Sequence, residues 1–116
     1  MNVSFNGYDE KVITFETEES LSNGDLVKVS GDGKVTKCQK GDLPCGVAIA
    51  VRGDLVSVQL KGYFELAYST DESVSLSYGY SNVVADDSNG VKAGSTGVQV
   101  MVVMLDTTNS KVGFII

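Results

Sequence analysis

Glycine, asparagine and aspartate break this sequence at short intervals, and that punctuation restricts its fold more than any other feature. After Leu21 come Asn23-Gly24, Gly31-Asp32-Gly33, Gly41-Asp42, Gly53-Asp54, Lys61-Gly62, Tyr78-Gly79, Asn89-Gly90 and Gly94. Such residues accept the positive φ angles of tight hairpins at little cost, so the chain between them has room for short strands and not for long helices. The intervals predict strands near Lys11–Glu16, Asp25–Ser30, Lys34–Cys38, Gly46–Arg52, Leu55–Leu60, Tyr63–Leu66, Asn82–Ala85, Gly97–Leu105 and Lys111–Ile116.

The faces of these strands follow from their patterning. Val27-Lys28-Val29-Ser30 and Leu55-Val56-Ser57-Val58-Gln59-Leu60 alternate apolar with polar, the pattern of strands with one face in a core and one in water. Val47 to Val51 and Val100 to Leu105 are apolar on both faces, so a second covering is expected, from another barrel wall or a neighbouring subunit. The expected class is all-β: a small β-barrel or β-sandwich of short antiparallel strands with an N-terminal arm. Residues 1–20 form the arm and first strand, and residues 21–116 a single β domain. Ser69-Thr70-Asp71-Glu72 has the look of a helix start, but Ser69–Val74 reads better as a loop joining two weakly similar halves. Asp25-Leu26-Val27, Gly33-Lys34-Val35, Gly46-Val47 and Leu55–Leu60 find echoes in Asn82-Val83-Val84, Gly90-Val91-Lys92, Gly97-Val98 and Lys111–Ile116.

Charge narrows the partners. Nine basic against fifteen acidic residues give a net charge of −6, which repels phosphate backbones and anionic headgroups, so neither nucleic acid nor a membrane surface is expected. The longest apolar stretch, Val98 to Leu105, falls well short of the roughly 20 residues of a spanning helix. Met1 to Gly7 has neither a basic start nor an apolar core, so no export signal is read and a cytoplasmic site of synthesis is expected.

Chemistry finds little to work with. The absence of histidine removes the commonest general base and metal ligand, and with it the Ser–His, Cys–His and histidine-zinc designs. Carboxylates remain: Asp9-Glu10, Glu16 with Glu18-Glu19, Asp71-Glu72 and Asp86-Asp87. Each sits in a polar, turn-like stretch, which favours solvated loop charge over acid–base catalysis. Asp86-Asp87-Ser88-Asn89-Gly90 has the oxygen-rich look of a calcium loop but reads equally as a hairpin turn. Cys38 and Cys45 read as small, half-buried residues flanking a turn, with a disulfide as the lesser alternative and zinc set aside for want of ligands. No catalytic, cofactor-binding or metal residue is assigned and no enzyme is expected. Tyr63, Phe64, Tyr68, Tyr78 and Tyr80 form the only aromatic concentration, suited to a subunit interface, a sugar platform or, for Phe64 above all, core packing.

From Asn23 to Ile116 the order of signals resembles a family of bacteriophage head decoration, or capsid cement, proteins long known only as a domain of unknown function. The likeness is carried by Gly24-Asp25-Leu26-Val27, Gly31-Asp32-Gly33-Lys34-Val35, Gly46-Val47-Ala48, Gly62-Tyr63-Phe64-Glu65-Leu66 and the closing apolar strand Val112 to Ile116. Tyr78-Gly79-Tyr80-Ser81-Asn82 departs from it where a Gly-Asp strand opening is usual. The resemblance implies a structural virion protein: a homotrimer on the exterior of the phage head, bound to the major capsid protein and stabilising the shell, after synthesis in the bacterial host cytoplasm. Met1 to Glu10 would then pair with capsid or a sister subunit by strand addition, anchored by Val3, Phe5 and Tyr8, with Tyr78 and Tyr80 as further contacts. The competing reading is a carbohydrate- or surface-binding β module of the fibre or adhesin kind, which needs Tyr68, Tyr78 and Tyr80 on one exposed face.

Overall fold

A computed structural model describes residues 10–69, 76–87, 89–94 and 96–116, and among the described residues it contains ten strands and no helix. They are β1 (Lys11–Glu16), β2 (Leu26–Gly31), β3 (Lys34–Lys37), β4 (Gly46–Arg52), β5 (Leu55–Lys61), β6 (Tyr63–Ser69), β7 (Gly79–Ala85), β8 (Gly90–Ala93), β9 (Val98–Asp106) and β10 (Lys111–Ile115). The strands close into two five-stranded barrels, ordered β1-β3-β2-β4-β5 and β10-β6-β8-β7-β9. As rings the two orders are the same, each strand of the second barrel lying five places after its counterpart. The chain is therefore an all-β, barrel-forming protein.

Three features depart from the sequence reading. The sheets are not wholly antiparallel, since β1 runs parallel to β3 and β6 parallel to β8. The cause is topological: β3 is the return strand of a hairpin and slots in beside the strand that preceded that hairpin. A tenth strand, β8, lies where only an echo of Gly33-Lys34-Val35 was noted. The joint between the barrels is Gly62 alone, at φ +113, and not the Ser69–Val74 segment. Ser69 ends β6 inside the second barrel, and residues 70–75 lie outside the described residues. β1 pairs along its length with β5, so it is a wall of the first barrel.

Valine dominates both interiors because a β-branched side chain packs well on a pleated surface and fills a narrow barrel without rotamer loss. Val27, Val35, Ala48, Val56 and Val58 form the first core, plugged by Leu21. Val83, Val91, Val100, Val102 and Val112 form the second, with Phe64 and Phe114 stacked at a centroid distance of 5.6 Å. Such a ring pair adds about 0.5–1.5 kcal/mol beyond its buried area.

A shared irregularity aligns β1, β5 and β4 of the first barrel with β6, β10 and β9 of the second. In β4 the register against β5 slips between Ala48 and Ala50, leaving Ile49 as a bulge. In β9 the register against β10 slips at the same place, leaving Val103 between Val102 and Met104. Anchored there, Val47 corresponds to Met101, Val58 to Phe114, Leu60 to Ile116 and, through the β1–β5 and β6–β10 ladders, Ile13 to Phe64. The Leu55–Leu60 echo in Lys111–Ile116 has this register, whereas the other echoes slip by a few residues.

The second barrel sits with its mouth on the outside of the first. Leu26 and Val47 face each other across β2 and β4, and both belong to the core cluster of Phe64, Leu66 and Phe114. The expected cover for the outer face of Val47 is thus this chain's own second barrel. The β3–β4 loop fastens the contact: Gly41 N donates to Ala85 O at 2.8 Å, and Ala85 N donates to Asp42 O at 2.9 Å.

The first ladder of β4 allows no side chain at Gly46, where a Cβ would lie 2.2 Å from the Gln59 carbonyl oxygen and 2.8 Å from Val58 Cγ1. Gly46→Ala is expected to cost about 1–3 kcal/mol by overpacking. Gly33→Ala, in open space at φ +66, costs only about 1 kcal/mol of backbone strain. Urea unfolding of both variants checks the order, and a Gly46→Ala variant as stable as wild type would contradict the packing described.

Candidate docking surface

The pairing registers draw one row of side chains across the outside of each barrel. In the first it runs Leu26, Val47, Gln59, Val12 over β2, β4, β5 and β1. In the second it runs Tyr80, Met101, Ile115, Tyr63 over β7, β9, β10 and β6, the counterpart of the first when followed through β4 and β9; followed through β3 and β8, Asn82, two residues along the same face of β7, stands in place of Leu26. The two rows differ in what covers them. Leu26 and Val47 are 2% and 8% exposed beneath the second barrel, whereas Tyr80 is 73% exposed and its neighbour Tyr78 68%.

The far end of the second row is set by a glycine. A Cβ at Gly113 would stand 2.3 Å from Tyr63 Oη and 3.0 Å from two of its ring carbons, so the Tyr63 ring lies across Gly113 in the space a side chain would take. The Tyr63 hydroxyl donates to Glu65 Oε2 at 3.2 Å, and burial, reinforced by that carboxylate, pushes its pKa up. The row thus passes from a buried tyrosine, through half-buried Ile115 and Met101, to exposed Tyr80. The open end of such a row is apolar surface from which water is profitably removed.

Of the residues singled out from the sequence, Tyr78 and Tyr80 lie together at the exposed end of this row, while Val3, Phe5 and Tyr8 lie outside the described residues. Tyr68 does not join them, since it packs against the second core, and Phe64 lies within that core. Tyr63, also of the aromatic concentration read from the sequence, lies at the buried end of the row, whereas Ile115 and Met101 were not singled out.

The carboxylates have structural work. Glu18 and Glu19 border an open hollow of about 640 Å³ beside the β2–β3 turn. There Lys34 Nζ donates to Glu18 Oε1 at 2.6 Å, and Glu19 Oε1 accepts from the Thr36 hydroxyl and the Lys37 backbone N–H. These bonds hold both carboxyls below the usual range. Asp87 Oδ1 accepts from Asn89 N at 2.6 Å and Asp86 N donates to Gly90 O at 2.9 Å, the bonds of a hairpin turn. Asp9, Asp71 and Glu72 lie outside the described residues, and among those described no three His, Cys, Asp or Glu side chains are grouped to hold a metal. Between the barrels a void of about 20 Å³ is lined by Leu26, Pro44, Val47, Phe64, Phe114 and Ile116, a lining that offers no polar anchor.

Cys38 and Cys45 are free thiols on either side of β2: Cys38 N donates to Leu26 O at 2.9 Å and Cys45 N to Val27 O at 2.8 Å. Between them, Asp42 Oδ2 accepts from Gln39 N at 2.7 Å and from Lys28 Nζ at 2.8 Å. The Lys28 hydrogen bond, then that of Gln39, holds the Asp42 carboxyl below its ordinary range. No protein-family model matches the chain, and no curated protein is similar to it.

Burial pushes the Cys38 thiol up to about 12 and raises that of Cys45. With the thiolate as the nucleophile, iodoacetamide at neutral pH is expected to leave Cys38 unmodified in the folded protein and to modify it once urea unfolds the chain. Mass spectrometry after timed quenching reads this directly. For Asp42 the folded pKa is lowered, so its contribution is present above the ordinary aspartate value and is lost as pH falls through the folded one. Asp42→Ala is therefore expected to melt earlier than wild type at neutral pH, with the gap closing in acid; a gap that persists unchanged below the carboxylate range would contradict the role given to that charge.

Proposed function

We propose that this chain is a capsid decoration protein, a structural virion component that binds the exterior of a bacteriophage head as a homotrimer and stabilises it. The observation that supports this most is the outer row that ends exposed at Tyr80 beside Tyr78, on a molecule where Glu18, Glu19, Asp42, Asp87 and Asp106 are engaged in turns and surface ion pairs. Such a surface serves docking. A protein occupying the junctions of an assembled shell stabilises it by mass action, since it binds the assembled state and not the dispersed one. A net charge of −6 keeps it off packaged nucleic acid.

The barrels also limit how an N-terminal arm engages. Both sheets are closed among the described residues, so a sister copy offers no free edge there for strand addition. An arm acting in that way takes its edge from the major capsid protein.

The carbohydrate-binding reading draws support from the exposure of Tyr78 and Tyr80 but loses Tyr68, which faces the second core. Glycan-array binding abolished by Tyr78→Ala would favour it. For decoration, purified protein mixed with matching heads that lack it is expected to bind saturably in threes and to raise the temperature at which the heads lose their contents. Heads left bare at high micromolar protein would refute the proposal.

A further inference from the structure

The contact between the two barrels is a template for a contact between two molecules. Within the chain, the mouth of the second barrel, Phe64 and Phe114 with Ile116 at its lip, closes over the outer pair Leu26–Val47 of the first. The duplicated topology gives every part of that contact a counterpart. The mouth of the first barrel carries Ile13, Val58 and Leu60 where the second carries Phe64, Phe114 and Ile116. The outer face of the second barrel carries Tyr80–Met101 where the first carries Leu26–Val47.

Each counterpart has an exposed member among the described residues. Ile13 points to the same side as the buried Val58, yet it is 50% exposed, whereas its counterpart Phe64 is 5% exposed. Tyr80 is the open member of its pair. One molecule therefore presents an exposed Ile13 at the mouth of its first barrel and an exposed Tyr80 on the outer row of its second, each at a position of the kind that is covered between the barrels.

We infer that the mouth of the first barrel, at Ile13, seats on the Tyr80–Met101 row of a second copy of this chain, repeating between molecules the contact made between the barrels. The contact is heterologous: two different surfaces meet, so each copy uses one and offers the other. Tyrosine in place of Leu26 suits an interface that forms after folding, because it buries a large ring while its hydroxyl keeps a free surface wettable. This inference rests on the decoration reading only for closure of the ring after three copies.

A heterologous contact permits a decisive complementation. Ile13→Glu and Tyr80→Glu each place a charge at an exposed site, so each is expected to keep the wild-type circular dichroism and melting temperature while losing self-association. Light scattering is expected to give the mass of a single 12.3 kDa chain for either variant alone. Mixed in equal amounts, the two are expected to form a dimer and nothing larger, since only the intact Tyr80 row of the first and the intact Ile13 mouth of the second can meet. Ile13→Ser and Tyr80→Ser repeat the test should either charged variant melt early. A mixture that stays monomeric, or an Ile13 variant that associates as wild type does, would overturn the contact. Binding of wild-type protein to heads, measured in parallel, separates the two ideas: heads decorated in threes by an unaffected Ile13 variant leave decoration standing without this interface, and head-to-tail association with no binding to heads does the reverse.

Discussion

Everything distinctive in this molecule follows from the seating of one barrel's mouth on another barrel's wall. A five-stranded barrel filled by valines buries its axis well but leaves its ends to be covered by something else. At the second barrel that cover is supplied by Leu26, Val47 and Pro44, so the second core extends onto the outer wall of the first barrel, whose own interior is a separate cluster. The β3–β4 loop completes the seal from the side, with its backbone paired to Ala85 and Asp42 tied to Lys28. Neither barrel is an independent bystander to the stability of the other.

The same arrangement explains why two copies of one topology have diverged in composition. At the wall that is covered, the paired positions are Leu26 and Val47; at the wall that is not, they are Tyr80 and Met101. At the mouth that is covered stand two stacked phenylalanines, and at the other stand a half-exposed Ile13 and the buried Val58. Side-chain choice tracks local covering, not ancestry of the strand. The tyrosine ring lying across Gly113 has the same logic, since a missing side chain on one strand is made good by a large one on the next.

Much of the fold could be read from the chain before its coordinates. Turn chemistry located nine of the strands because glycine and asparagine at tight hairpins answer to local sterics alone. β8 escaped because Gly90-Val91-Lys92-Ala93 is short and hemmed between the turn glycines Gly90 and Gly94, and its strand character is imposed by β6 and β7 on either side. Tyr80 could be singled out from aromatic clustering, and the structure exposes it, but its cross-strand neighbour Met101 could not. It sits in a run of apolar residues, where no polar alternation tells the inner face from the outer. Cross-strand register, including the bulge at Val103, decides that face, and register is a tertiary fact. The docking of Gly41 and Asp42 onto Ala85 is hidden for the same reason.

In each barrel the first strand lies beside the fifth, so a unit's beginning and its end emerge side by side. A gene segment encoding such a unit is ready to be copied in tandem: the second copy starts where the first stops, and a lone glycine spans the gap. A repeated unit of this kind needs no linker: here the join is Gly62 alone, and the rest of the attachment comes from the seated mouth and the β3–β4 loop.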